Sequence, residues 1–433
     1  MRIAISFIAL LLTARAFAVP PVPIPGLLTL EWALSHAADA HPELEEARAS
    51  LELERARALA ADAREGVRFT AELVPAASDP AITPETHFVN DSRASLLLSR
   101  QLYDFGRTRA LRDAAAARIA GSELLLADAE QRRRLTLMRR FFDVLLADLR
   151  YRADDELMSY LFIQYDHNRH RRGVGAVSPV ELERSENAWR EALDRRAESA
   201  SLKTNFRAAL ALALDRPGEP VAQLVRPRFK NLDQPTPEVE DIVKLALSGN
   251  SRLQALQRDA EAAERLVEAE GARRRPTLAA EFEANAWERD QVSSTRDELR
   301  AQLRLRWPLY QGGEDSAALA EARALAASRR AQWRKAEYEL RARVVELTQR
   351  LDTLRVRRET ARQREKFRDL AVERARARYE LEEQVSLGDA QARFTEAQWL
   401  LAETEFETAM TFAWLDALKG RPVPATVTLE SEK

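Results

Sequence analysis

The sequence predicts a mainly α-helical fold with a smaller β portion, built as a duplicated unit in which two strands lead into a long helical hairpin. Three observations carry that expectation. Ala, Leu, Glu and Arg crowd a chain of 433 residues that is 31% charged and holds only 13 Gly, a bias that favours long helices. Two pairs of segments break the helical pattern by alternating at period two. Three landmarks recur at offsets of 207 to 209 residues, as a tandem repeat requires.

The chain opens with Arg2 and an apolar run from Ile3 to Leu12, followed by Ala16-Phe17-Ala18. This is the pattern of a signal peptide over residues 1–18, cleaved after Ala18. Its apolar core is about half the ~20 residues of a membrane anchor. Loss of Arg2 and Arg15 leaves 65 basic against 69 acidic residues, a formal charge of −4 where the whole chain has −2. Both signs are interspersed, so no nucleic-acid partner is indicated. The absence of Cys excludes thiolate catalysis, disulfides, Cys-ligated metals and an N-terminal lipidated cysteine. Every later helical stretch is interrupted by charges, so any passage through a membrane would be made by strands.

After a Pro-rich segment, 19–26, the first repeat is expected over 27–225 and the second over 239–420, with a Pro-rich linker at 226–238 and a tail at 421–433. "LTLEWALSHAADAHPELEEAR" from Leu28 resembles "VEDIVKLALSGNSRLQALQRDA" from Val239. "LYDFGR" from Leu102 matches "LYQGGE" from Leu309, and "GVGAVSPVEL" aligns with "EEQVSLGDA" through Ser178 and Ser386. Each repeat begins with a helical pair, from Leu30 to about Ala63 and from Glu238 to about Ala272. Pro42 falls early in one helix, where a missing N–H costs little.

The strands are expected at about 65–76 and 92–104, and at about 275–288 and 297–311. In "DELRAQLRLRWP", Leu299, Ala301, Leu303, Leu305 and Trp307 alternate with Arg300, Gln302, Arg304, Arg306 and Pro308. Its partner alternates Leu278, Ala280 and Phe282 with Ala279, Glu281 and Glu283, and "GVRFTAELVP" sets Val67, Phe69, Ala71 and Leu73 on one side. "SRASLLLSRQLYD" is noisier because its leucines are consecutive. Strands of about 10 residues suit a bilayer crossing. They equally suit a soluble hairpin that packs its apolar face on the helices. Long helices follow at about 107–172 and about 314–383, each roughly 100 Å at 1.5 Å per residue, and shorter helices return from Val180 and Gly388.

Asp104-Phe105-Gly106 matches the magnesium-binding tripeptide of protein kinases. No Gly-rich phosphate loop, strand lysine of the Val-Ala-Ile-Lys type or His-Arg-Asp loop accompanies it, so phosphoryl transfer is excluded. His167 and His170 lack further ligands at metal spacing. Glu281 and Glu283 lie two apart on a strand, which suits a wet face better than acid-base catalysis. No enzyme, cofactor or metal site is expected.

These residues resemble the TolC-like outer membrane efflux proteins. The resemblance covers Leu28 to Lys419 and is carried by the opening helical motif, by the paired junctions "LYDFGR" and "LYQGGE", and by the helix-tip turn "GVGAVSPVEL". It implies a homotrimer whose twelve strands close a membrane β-barrel, continued by a periplasmic α-helical barrel. Such a protein is the exit duct of a tripartite efflux or type I secretion system, working with a periplasmic adaptor and an inner-membrane transporter and surrounded by outer membrane lipid. The alternative is a periplasmic adaptor or a structural coiled-coil protein, but adaptors have one hairpin between two halves of a lipoyl-like domain.

By the resemblance, Tyr103, Phe105, Gly106, Tyr310 and Gly313 form strand-to-helix junctions at the membrane interface. Leu299, Leu303, Leu305 and Phe282 face lipid, and Arg300, Arg304 and Arg306 face the lumen. Gly175, Ser178, Glu181 and Ser386 form the periplasmic tips and adaptor contact, and Glu382, Glu383 and Asp389 the gate. The second tip departs from the pattern: Glu383 stands where the turn glycine is expected. Ala392 occupies the place of a second constriction aspartate after Asp389, so a double aspartate ring does not carry over.

Overall fold

The computed structural model describes residues 24–39, 41–78, 89–90, 92–219, 221, 223–287, 298–380 and 387–424. The expected signal peptide lies outside them, as do Glu382, Glu383 and Ser386 of the second tip.

The first half opens with β1 (Leu27–Leu28) and α1 (Leu30–Ser35), where the Thr29 hydroxyl accepts from the Trp32 amide at 3.2 Å. Helix α2 (Pro42–Asp62) starts on a proline that needs no hydrogen-bond partner. One 3₁₀ turn hands the chain to β2 (Val67–Val74). A two-stranded extension, β3 (Ala77–Ser78) with β4 (Val89–Asn90), precedes β5 (Arg93–Tyr103), which returns antiparallel to β2. Helix α3 (Arg107–Gly173) and helix α4 (Pro179–Ala213) form the hairpin, and β6 (Gln223–Leu224) pairs in parallel with β1.

The second half repeats this order with α5 (Val239–Gly249), α6 (Ser251–Gly271), a 3₁₀ turn, β7 (Thr277–Trp287), β8 (Leu299–Arg306), α7 (Glu314–Glu380) and α8 (Leu387–Leu418). Helices α2 and α6 each have 21 residues, and α3 and α7 each have 67, so the halves match in dimension as well as in order. They join twice. Strand β7 pairs with β5 to give one antiparallel sheet, β2-β5-β7-β8. Helix α3 packs on α8 and α6 as well as on α4, and α7 packs on α6 and α8.

Most large buried side chains form a belt halfway along the long helices. Phe142 sits about 50 Å from the start of α3. Its ring stacks on Phe406 of α8 at 4.5 Å and meets Phe229 edge-on at 5.8 Å. Met138 and Phe141 of α3, Leu347 and Leu351 of α7, Ile242 of α5, and Leu28 and Leu30 complete the belt. The segment 226–238, expected as a linker, is strapped onto it. Leu232 is buried, the buried Arg358 donates to the Leu232 carbonyl at 2.7 Å and pairs with Asp233, and Arg226 pairs with Glu405 at 2.9 Å. The ends of α5 and α8 also meet backbone to backbone: a Cβ on Gly249 would lie 2.2 Å from the Lys419 carbonyl oxygen.

On the belt's edge, burial holds the Glu403 carboxyl above the ordinary glutamate range. The Glu407 carboxylate adds to this, while Arg150 and Arg357 oppose it. A carboxyl raised in the folded state favours folding while protonated, and that contribution is lost as pH rises through the raised value. Glu403→Gln should therefore raise the melting temperature at pH 8, by on the order of 1–2 °C for a chain of this size. It should leave the melting temperature unchanged at pH 4, as followed by circular dichroism in detergent.

Candidate functional site

Register across the sheet sorts its residues into two faces. Val67, Arg100, Ala280 and Leu303 form one cross-strand row, Phe69, Leu98, Phe282 and Ala301 the next, and Ala71, Leu96, Ala284 and Leu299 the one beyond. The opposite face carries Arg68, Ser99, Glu281 and Gln302 in one row, and Thr70, Leu97, Glu283 and Arg300 in another. There Arg304 pairs with Glu281 at 2.8 Å, Gln302 donates to the same carboxylate at 2.8 Å, and Arg300 lies 4.0 Å from Glu283. Leu97 and Arg100 break the alternation, each on the face of opposite character. The apolar face is bare: Phe69 is 68% exposed, Leu299 66% and Leu303 70%. The helices do not cover it, so the soluble-hairpin arrangement is not the one built.

Each strand pair continues into a long helix through the same backbone device. Phe105 and Gly106 have φ of 54° and 93°, and Gly312 and Gly313 have 61° and 93°. Two successive left-handed residues turn the chain out of the sheet, and glycine takes three of the four places because it lacks the Cβ that would clash. At the first junction Asp104 is buried. Its carboxylate accepts from the Thr108 amide at 2.7 Å, the Thr108 hydroxyl at 2.5 Å, the Gln101 amide at 3.1 Å and the Gly106 amide at 3.2 Å. It satisfies the free N–H groups at the start of α3 and complements the helix dipole. The second junction has Gln311 in that place and places buried Asp315 in the first turn of α7, 3.4 Å from Arg273. Arg275, just before β7, donates to the Phe105 carbonyl at 2.9 Å, tying the first junction to the second half's sheet. The Tyr103 and Phe105 rings meet edge-on at 4.7 Å, and Tyr310 is exposed.

At the far end, α3 stops in a Schellman motif. Gly175 has φ of 73°, its amide donates to the Arg172 carbonyl at 3.0 Å, and the Ala176 amide donates to the Arg171 carbonyl at 2.9 Å. Ser178 then caps α4 by accepting from the Glu181 amide at 3.2 Å. Glu181 is exposed. Asp389 is not beside these residues. Gly388 packs against Tyr160 of α3, about 20 Å before the end of that helix. Asp389 pairs with Arg393 at 2.8 Å and borders a hollow shared with Arg150, Asp154 and Arg195.

His170 turns its Nδ1 to the Asp166 carbonyl at 2.8 Å. Among the described residues, no three potential metal ligands cluster and no helix is long and apolar enough to cross a membrane. Sequence reasoning passed over Arg100, whose place on the apolar face depends on pairing between strands. It also passed over Arg133, which is buried between helices and donates to the Ala213 carbonyl.

The family model described as outer membrane efflux protein matches residues 242–421. No curated protein matches by sequence. Crystal structures share the fold. The Campylobacter jejuni CmeC outer membrane channel is 17% identical with a TM-score of 0.74, covering 92% of this chain and 87% of that one. The Vibrio cholerae outer membrane protein VceC is 17% identical with a TM-score of 0.71, covering 90% and 96%. The open Neisseria gonorrhoeae MtrE channel is 16% identical with a TM-score of 0.71, covering 91% and 89%.

The junction yields a direct test. Asp104→Ala removes the acceptor for the start of α3 and should cost about 1–2 kcal/mol, whereas Asp104→Asn, which keeps one oxygen, should cost less. Denaturant unfolding of the purified protein measures both.

Proposed function

We infer that this chain, a member of the outer membrane efflux protein family, is a trimeric exit duct that carries substrates from an inner-membrane transporter and a periplasmic adaptor across the outer membrane. The family is one of transport ducts, not of enzymes, and it resides in the outer membrane with its helical part in the periplasm. One observation supports the detailed reading most strongly. A sheet with a bare apolar face and two open edges runs directly into helices of 67 residues. An adaptor or a scaffold coiled coil has no use for such a sheet.

Closure follows from strand parity. The edges β2 and β8 run in opposite directions, so β8 of one chain can pair antiparallel with β2 of the next. Two chains would give eight strands, whose interior side chains fill; three give twelve and leave a lumen. In that barrel Arg300, Arg304 and Arg306 line water, and Phe282, Leu299, Leu303 and Leu305 meet lipid. Tyr103, Phe105 and Tyr310 sit at the headgroup level, as aromatic girdles do, with Gly106 and Gly313 turning the chain there. The first tip, Gly175, Ser178 and Glu181, and Ser386 of the second receive the adaptor. Glu382, Glu383 and Asp389 make the gate acidic, with Arg393 tempering Asp389.

Depth should decide the cost of a charge on the lipid face. Phe282→Arg, in a middle row, should destabilise by about 2–4 kcal/mol, Leu303→Arg nearer the junction by less, and Gln302→Arg hardly at all. Cysteines at 303 and 304 should react unequally with a water-soluble reagent, the second faster. Equal reaction would remove the barrel.

At the gate, purified trimers in a planar bilayer should show a small, cation-selective conductance that divalent cations reduce from the periplasmic side, because a carboxylate ring attracts cations. Replacing Glu382, Glu383 and Asp389 together by Ala should weaken both properties while trimers persist. Arg393→Gln, which removes one cationic partner of Asp389, should strengthen the divalent block. Unchanged selectivity in the triple variant would move the constriction elsewhere.

A further inference from the structure

The apolar face of the sheet carries a single charge. Its cross-strand rows run through valine, phenylalanine, alanine and leucine, and only Arg100 interrupts them. Arg100 is exposed, and its register partners on either side, Val67 and Ala280, offer it no acceptor. The nearest carboxylate in sequence register, Glu281, belongs to the opposite face and is held by Arg304 and Gln302, each at 2.8 Å.

Beside Arg100 the face is dented. A shallow, mainly apolar hollow of about 490 Å³ has Ala280 and Ala301 as its small residues, with Val67, Leu98, Phe282 and Leu303 around them and Glu281 and Gln302, paired with each other, also among its lining. Arg100 stands at its border on the side toward the helices, three residues before Tyr103, where β5 ends. At about 3.4 Å per residue and a tilt near 40°, that is roughly 8 Å above the junction. An arginine side chain directed back toward the junction spans most of that distance and brings its guanidinium to the headgroup layer.

We propose that Arg100 and this hollow bind a glycerophospholipid of the periplasmic leaflet, the guanidinium on the headgroup phosphate and an acyl chain in the hollow. The proposal rests on the reading above that this face meets lipid. A guanidinium matches a phosphate with two parallel hydrogen bonds, and phosphate is the anion that a bilayer presents at this depth. The hollow supplies what a free anion would not use, an apolar seat for the tail. The arrangement selects for a phosphate with an attached chain and places one such site on each chain of the trimer.

Native mass spectrometry of the full-length protein in detergent tests this, with phosphatidylglycerol, phosphate-free diacylglycerol and inorganic phosphate as separate probes. Phosphatidylglycerol should be retained at one molecule per chain, and the other two should be released. Arg100→Gln should weaken retention roughly tenfold, as expected for loss of a charge-assisted contact, and Arg100→Lys should retain more than Arg100→Gln. Ala280→Leu, which fills the hollow while leaving the charge, should also weaken retention. If Arg100→Gln does not assemble, the lysine and leucine variants decide. Wild-type retention in both Arg100→Gln and Ala280→Leu overturns the proposal, as does equal retention of inorganic phosphate. Failure of the duct reading would appear separately, as equal labelling at 303 and 304 or the absence of trimers.

Discussion

Strands β2 and β8 are the two edges of a four-stranded sheet, so each leaves one row of backbone N–H and C=O groups without a partner in its own chain. In hydrocarbon every such group costs several kcal/mol. No side-chain contact offsets a whole row of them, so the sheet can exist in a membrane only as part of a closed cylinder shared between chains. On the proposed reading, that constraint accounts for the even number of strands per chain, the pairing of the halves through β5 and β7, and the exposure of an apolar face that would be a liability on a soluble protein. The duplication serves the same end. One half supplies one hairpin, and a single hairpin is marginal alone.

The junctions carry this sheet into helices. A strand rises about 3.3 Å per residue and a helix 1.5 Å, so the chain must change direction and pitch within a few residues at the membrane edge. The two left-handed residues at 105–106 and 312–313 make that change identically in both halves. What differs is how the exposed helix start is satisfied. The first half uses one buried carboxylate with four donors, whereas at the second the Glu314 and Ser316 amides donate to the Gln311 and Gly313 carbonyls and Asp315 pairs with Arg273 instead. The two halves have kept a backbone geometry while diverging in the side chains that stabilise it.

Much of this was legible in the sequence because it follows short-range rules. Alternation in "LRAQLRLR" groups Leu299, Ala301, Leu303 and Leu305, and the ladder groups them the same way. Glycines 106 and 313 mark the junctions because few other residues tolerate positive φ. Features that depend on pairing between distant segments were not legible. The strap at 226–238 reads as a Pro-rich linker, and only the fold brings Phe229 onto Phe142 and Asp233 onto Arg358. The contact between Gly249 and Gly420 spans the second half of the chain. Arg100 reads as one more arginine in "LSRQLYD" until register places it among leucines.

The distribution of buried side chains along the hairpins bears on where they can move. Around the belt the buried residues are large: Phe141, Phe142, Met138, Leu351 and Phe406. Toward the tips most are small, with Ala153 on α3, Ala192 on α4, Ala361 and Ala375 on α7, and Ala392 and Ala397 on α8 beside the larger Val177 and Val372; toward the sheet they are alanines as well, among them Ala110, Ala114, Ala262 and Ala326. Burial stabilises in proportion to apolar area, about 25 cal/mol per Å², so each alanine contact contributes a fraction of what a belt phenylalanine does. Helices that meet through alanine can slide or tilt past one another with little loss, whereas the stacked rings at the belt cannot. Some surface charges pair three or four residues apart within one helix and would move with it, while Arg196–Asp155, Arg207–Asp148 and Arg350–Glu407 tie neighbouring helices together. Large apolar burial is therefore concentrated halfway along the helices. In the proposed duct, the tips are among the parts that the packing holds least firmly.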